Sequence, residues 1–232
     1  MEGPHPGLGN PPRGFSLTLK ACLFATGCAA IVAEYTLATL ASYLLGNTII
    51  QWTLVISLML FAMGVGSRFT RRMEGKLLDR YVVIECGLSL LCAFSALFCY
   101  TIAAFTPHIA LIVYGAACAI GFLTGMEIPL ITRINDGYEP LQVNISSVME
   151  YDYYGALAGG GLFAFFLLPF LGLTYTPILL GAINLLVAGL ILWKFVLMLA
   201  RPQLLRYGLA FSLMLIFFAA GSARSIVLFG EQ

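Results

Sequence analysis

The chain has 232 residues, 60% of them hydrophobic and 10% charged, with twelve Lys and Arg against eleven Asp and Glu and a mean hydropathy of +0.95. Values so far outside the soluble range exclude a water-soluble enzyme domain, which could not hide this much apolar surface. A formal net charge of +1 and a single basic cluster at 68–80 give no footprint for nucleic acid; anionic lipid or topology control explains that cluster better.

Residues 1–16 read as a cytosolic tail. Positions 1–13 are rich in Gly and Pro and lack the basic and apolar pattern of a cleaved signal. Apolar runs follow at 17–45, 49–67, 81–105, 108–131, 147–173, 177–200 and 205–221. A hydrocarbon core of about 30 Å takes about 20 helical residues, and none of the runs alternates apolar with polar residues as a membrane barrel does. The predicted fold is an all-α integral membrane protein, a polytopic bundle of about seven transmembrane helices over 17–222, with 223–232 as a carboxy-terminal tail.

Arg13, Lys20, Arg68, Arg71, Arg72, Lys76, Arg80, Arg133, Lys194, Arg201 and Arg206 fall on one side of this arrangement, and only Arg224 on the other. Basic residues of short loops stay in the cytosol, so the expectation is a bacterial inner (plasma) membrane, an amino end inside and, for an odd number of crossings, a carboxy end outside. Cys22, Cys28, Cys86, Cys92, Cys99 and Cys118 all lie in apolar runs without metal-ligand spacing. His5 and His108 form no nucleophile–base arrangement with them. Neither a metal, a cofactor nor catalysis by this chain alone is expected.

In lipid, helix association depends on small residues that let backbones approach. Gly155 and Gly159 form a G-x-x-x-G pair in the fifth run, and Ala117, Gly121 and Gly125 form a stripe on the fourth. In the first, Gly27, Ala30, Ala38, Ala41 and Ser42 share a face with Glu34. Helix packing is the expected role of Gly121, Gly125, Gly155 and Gly159.

Carboxylates within apolar runs are costly and face a partner or a cavity. Glu34 is the leading candidate and is expected to be buried in the bundle, as a functional group or as a protonated fastener of two helices. Glu127, in GMEIPL at 125–130, points away from the Gly121/Gly125 stripe. Its helix must then meet neighbours on two sides, or Glu127 borders a cytosol-facing cavity, or it pairs with Arg133. Glu150 with Ser147 has the spacing of a capping box, and Glu85, after Asp79, reads as an acidic residue near a helix start. Tyr151, Tyr153 and Tyr154 surround Asp152; they read either as an interfacial belt or, with the carboxylates, as the wall of an organic-cation site. The candidate binding residues are Glu34, Tyr35, Glu127, Glu150, Tyr151, Asp152 and Tyr154.

Four strings, EYTLATLASYLLGN at 34–47, LFAMGVGS at 60–67, GMEIPL at 125–130 with Arg133, and YDYYGALAG at 151–159 followed by LPFLGL at 168–173, carry a resemblance. In their order and spacing the chain resembles the membrane part of the membrane-bound, spermidine synthase-like (polyamine aminopropyltransferase) family, whose helical domain precedes a soluble catalytic one. The resemblance implies Glu34, Glu127 and Asp152 as family positions and polyamine as the associated chemistry. Nothing here matches the Rossmann-like catalytic half, and Gly159–Gly161 lies inside an apolar run, so the expectation is either a truncated membrane half, with residues 223–232 as the stub of a soluble domain, or a natural stand-alone version.

Three functional classes follow: a membrane anchor of such a protein that binds a polyamine or other organic cation, a small cation or solute carrier or channel using its carboxylates, and a structural subunit of a membrane complex. The expected partners are the lipid bilayer, a soluble aminopropyltransferase domain or other subunits, and a second copy of the chain.

Overall fold

The computed structural model describes residues 14–103, 105, 108–136 and 138–230; residues 1–13 of the expected tail, residues 231–232 and the side chains of Arg224 and of residues 226–230 lie outside them, and the last two residues of the expected 1–16 tail, Phe15 and Ser16, already belong to the first helix. Among the described residues seven α-helices follow in chain order: α1 Phe15–Leu45, α2 Thr48–Phe69, α3 Leu77–Ala103, α4 Ile109–Asn135, α5 Leu141–Leu162, α6 Gly172–Lys194 and α7 Pro202–Gly230. No strand forms among the described residues. α7 stays helical through Gly230, so most of the expected tail at 223–232 continues the last helix.

The expected seven spans require one correction. Among the described residues six continuous helices are long and apolar enough to cross a membrane, because the fifth and sixth runs are wound together into Leu141–Lys194, 54 residues in all. Straight, that length would reach about 80 Å. It does not run straight. Residues Phe163–Leu171 take the wider π winding around Pro169, which has no N–H to continue an α ladder, and Gly172 follows with a left-handed φ of 63°. α5 climbs beside α1, with Gly155 against Phe24, Gly159 against Cys28 and the Phe163 ring 5.8 Å from Tyr35. After the reversal, α6 descends past Cys92 of α3 until Lys194 meets Thr18 near the start of α1.

Tight connections keep neighbouring helices antiparallel. Between α1 and α2, Gly46 turns with φ 74° and sends its N–H to the Ser42 carbonyl, while the Asn47 side chain accepts from the Ile50 N–H. Between α2 and α3, a 3₁₀ turn at Thr70–Arg72 leads to Gly75 and Lys76, both with positive φ.

Glycine sets how closely three pairs of helices pack. A Cβ added to Gly121 would sit 2.7 Å from the Met59 carbonyl oxygen, and Gly125 presses on Met63 in the same way, drawing α4 onto α2. Gly155 and Gly159 do this for α5 on α1. Gly181, which sequence reading passed over, does it for α6 on α3 at Ser89 and Ala93.

One end of the bundle gathers the charged contacts. Lys20 pairs with Glu139 at 2.8 Å, Arg133 donates to the carbonyls of Thr70 and Met73, and Asp79 accepts from the N–H groups of Ala200 and Arg201 just before α7. The sides of the bundle are different: Phe61, Leu111, Phe165, Leu186, Trp193, Leu197 and Phe217 all stand exposed.

Candidate functional site

On α3, Tyr81, Glu85, Ser89 and Cys92 follow at spacings of four, four and three, which stacks them on one helical face. That face is turned wholly inward: Glu85 and Ser89 are 0% exposed, and Tyr81 and Cys92 are buried. On α4, Ile120, Thr124 and Glu127 form a second inward stripe on the side opposite the Gly121/Gly125 contact with α2. Glu127 is 2% exposed. Of the readings open for Glu127, the structure therefore selects the helix with neighbours on both sides.

The two stripes meet around a narrow gap of about 190 Å³, lined by Thr26, Ala29 and Ala33 of α1, Cys92 of α3, Thr124 and Glu127 of α4 and Asn184 of α6, among others. Glu127 interacts with the charge of Glu85 and lies within reach of the Thr26 hydroxyl. Both Glu85 oxygens, Glu127 Oε1, Asn184 Oδ1, Ser89 Oγ and the Tyr81 hydroxyl are buried without a hydrogen-bond partner, although the Tyr81 hydroxyl lies close to Glu85. Asn184 spends its amide on a long contact to Cys92 Sγ, 3.9 Å away.

Asp152 extends this group outwards. It is half-buried on α5, and its Oδ1 would lie 2.7 Å from a Cβ on Gly27, so the missing side chain of Gly27 is what admits it next to α1. From there its charge reaches Glu127. The nearby basic groups are engaged elsewhere: Lys194 Nζ is 2.6 Å from the Thr18 hydroxyl, and Arg133 is held by backbone carbonyls.

Several expectations need correction. Glu34 is half-buried, not enclosed, and lies eight residues along α1 from Thr26, about 12 Å of helix. Neighbouring Tyr35 packs on Trp52, with ring centroids 5.4 Å apart, and on Phe163. The ion pair Glu127–Arg133 does not form. The Ser147–Glu150 capping box does not form either: α5 begins six residues earlier at Leu141, so Ser147 donates to the Asn144 carbonyl within the helix and Glu150 is exposed. Tyr151 is half-buried, while Tyr153 and Tyr154 face outwards, so these tyrosines do not close around Asp152.

Sequence reading missed Glu85. It lies eight residues into α3, more than two turns from the helix start, where the first-turn explanation no longer holds, and Asp79 caps the approach to α7 instead. The period of Tyr81, Glu85, Ser89 and Cys92, together with Asn184 alone in an apolar run, was the available signal.

This geometry defines a class: an all-helical bundle, apolar on its sides and basic at one end, with carboxylates enclosed in its interior. The chain is 45% identical over 218 residues to polyamine aminopropyltransferase 2 of Aquifex aeolicus, covering 94% of this chain and 43% of that protein. It is 38% identical over 168 residues to the polyamine aminopropyltransferase of Oceanobacillus iheyensis (71% and 33%), and 31% over 221 residues to polyamine aminopropyltransferase 1 of Streptomyces coelicolor (94% and 41%). Its homologues are thus polyamine aminopropyltransferases, which supports the spermidine synthase-like resemblance, and the chain spans less than half the length of these relatives. No family model matches the chain, and no solved structure matches it.

Proposed function

We propose that this chain is the membrane-embedded helical domain of a spermidine synthase-like protein. It holds that protein in a bacterial inner membrane, basic end towards the cytosol, and accepts a polyamine or another organic cation at Asp152. The observation that carries the reading is the inverted surface: large apolar side chains stand exposed along the helices while carboxylates are enclosed. Lipid as the surrounding solvent accounts for both. Asp152 is the one member of the carboxylate group that is only half-buried, and so the one open to a ligand.

Fractionation tests the anchor. The chain should remain in membranes through an alkaline carbonate wash and leave them only with detergent; release by carbonate would remove the membrane reading. Calorimetry of the solubilised chain tests the ligand. Spermidine should bind, and Asp152→Asn should weaken it about tenfold, the loss of one charge-assisted contact. Equal binding by the variant would move the site elsewhere.

A second reading, a small cation carrier, draws on the Glu85–Glu127 pair. Cation flux into proteoliposomes that is lost in Glu127→Gln would favour it, and tight vesicles without flux would dismiss it.

A further inference from the structure

Two carboxylates from different helices face one another across the bundle interior, and neither the anchor nor Asp152 uses them. We propose that Glu85 and Glu127, with Asn184 Oδ1 on the gap that Glu127 lines and Ser89 Oγ one turn along α3 from Glu85, form a buried site for one compact monovalent cation, a proton or a dehydrated Na⁺, reached by way of Asp152. This site does not depend on polyamine being the ligand at Asp152.

The first support is an imbalance of donors and acceptors. Both Glu85 oxygens, Glu127 Oε1 and Asn184 Oδ1, four acceptors in residues no more than 3% exposed, lack a protein partner, and the two unpaired hydroxyls, of Tyr81 close to Glu85 and of Ser89, are too few to serve them all. Asn184 is not acidic, and its orphaned oxygen belongs to a side chain on the wall of the gap that Glu127 lines. Carboxylate and amide oxygens cannot donate to one another. Left without a donor, each forfeits its hydration uncompensated. A proton or a hard cation supplies what the oxygens lack.

Charge points the same way. Two carboxylates in one apolar pocket without a counter-charge are strongly unfavourable, so the pair keeps a positive charge between them. The titratable groups facing the pair from the surrounding helices are Tyr81, Cys86 and Cys92 on α3, Cys22 on α1 and Asp152 on α5, none of them a cation. Lys194 acts on Cys22 but is tied to Thr18.

Size then selects the occupant. The gap beside Glu127 and Asn184, which Glu85 and Ser89 do not themselves line, holds about 190 Å³ between atoms yet is nowhere wide enough for a water-sized sphere. A polyamine or a hydrated ion does not enter; a proton or a bare Na⁺ does. Asp152 provides the step towards the surface, since it is half-buried, seated against Gly27 and felt by Glu127.

Infrared spectroscopy of the full chain in nanodiscs tests the site. The wild type should show a protonated-carboxyl C=O band that shifts in D₂O and is lost either on titration between about pH 5 and 10 or on replacing choline by Na⁺ at fixed pH. Loss with pH alone identifies a proton site, and loss with Na⁺ identifies a site that exchanges the two. Glu85→Gln and Glu127→Gln should each diminish the band, while Glu34→Gln should leave it. A wild-type spectrum with no such band, or with a band that ignores D₂O, pH and Na⁺ alike, overturns the proposal and leaves the pair as an inert fastener. The wild-type spectra decide this even if a variant misfolds.

Discussion

Lys20 Nζ lies 2.8 Å from one oxygen of Glu139 and 2.9 Å from the other, joining the first turns of α1 to the short connection between α4 and α5. Ser16 donates to the same carboxylate at 2.6 Å. Partial burial pushes the Glu139 carboxyl up, but the hydrogen bonds from Lys20 and Ser16 and the Lys20 charge outweigh it and hold the group below its ordinary value of 4.5. A carboxyl lowered in the folded state contributes stability above its unfolded value, and this is lost as the pH falls through the folded one. Glu139→Gln should therefore be less stable than wild type by up to about 1 kcal/mol near neutrality. The gap between the two thermal midpoints should close below pH 4.5. A gap independent of pH would show that packing, not charge, is responsible.

Arg133 bridges the carbonyls of Thr70 and Met73, at 2.7 and 2.8 Å, and so ties α4 to the connection between α2 and α3. Arg133→Ala should free that connection, which contains the tryptic sites Arg71, Arg72 and Lys76. Limited trypsin digestion of the solubilised chain should cleave there at least about tenfold faster, as expected for losing about 1.5–3 kcal/mol of charged hydrogen bonds. Arg133→Lys, with a single cationic head, should fall in between.

Gly125 and Gly155 offer a contrast with Gly161. The first two abut the backbones of Met63 and Phe24, whereas a Cβ on Gly161 meets nothing within 4 Å. Gly125→Ala and Gly155→Ala should each destabilise the bundle by about 1–3 kcal/mol through forced separation of helices. Gly161→Ala should be neutral or slightly stabilising, because it only relieves the conformational freedom of glycine in a helix. Thermal midpoints in one detergent compare all three.

Glu85 separates fastening from function. Because no charged protein group balances Glu85, replacing it with Met removes one carboxylate of the buried pair together with the need to hold a positive charge there, and should be neutral or should raise the unfolding midpoint. A fall equivalent to about 2 kcal/mol or more would mean that Glu85 holds α3 in place.

Asn135 and Asn144 close the turn between α4 and α5. Asn135 donates to Asn144 Oδ1 at 2.9 Å, and Asn144 donates to the Thr132 carbonyl at 2.8 Å, both side chains buried. Asn144→Leu leaves Asn135 and Thr132 unsatisfied and should cost about 2–4 kcal/mol, the loss of two buried hydrogen bonds. Size-exclusion profiles before and after heating would register it.

By itself, the sequence determined what depends on composition and local order. Apolar runs broken by charged clusters determined that the chain is helical and roughly where its helices lie, the charged clusters marked one end of the bundle, and small-residue spacing marked the contact faces of α4 and α5. Only the tertiary structure decided what depends on which faces meet. The winding of Leu141–Lys194 into one continuous helix that reverses at Gly172 is set by packing of its two arms on α1 and α3, and no residue count could give it. The same is true of the carboxylates. Glu34 and Glu85 both sit in apolar runs, and hydropathy cannot tell them apart. Rotation of each helix about its axis leaves Glu34 half-covered and encloses Glu85 with Glu127, because burial is a property of the neighbouring helix and not of the residue itself.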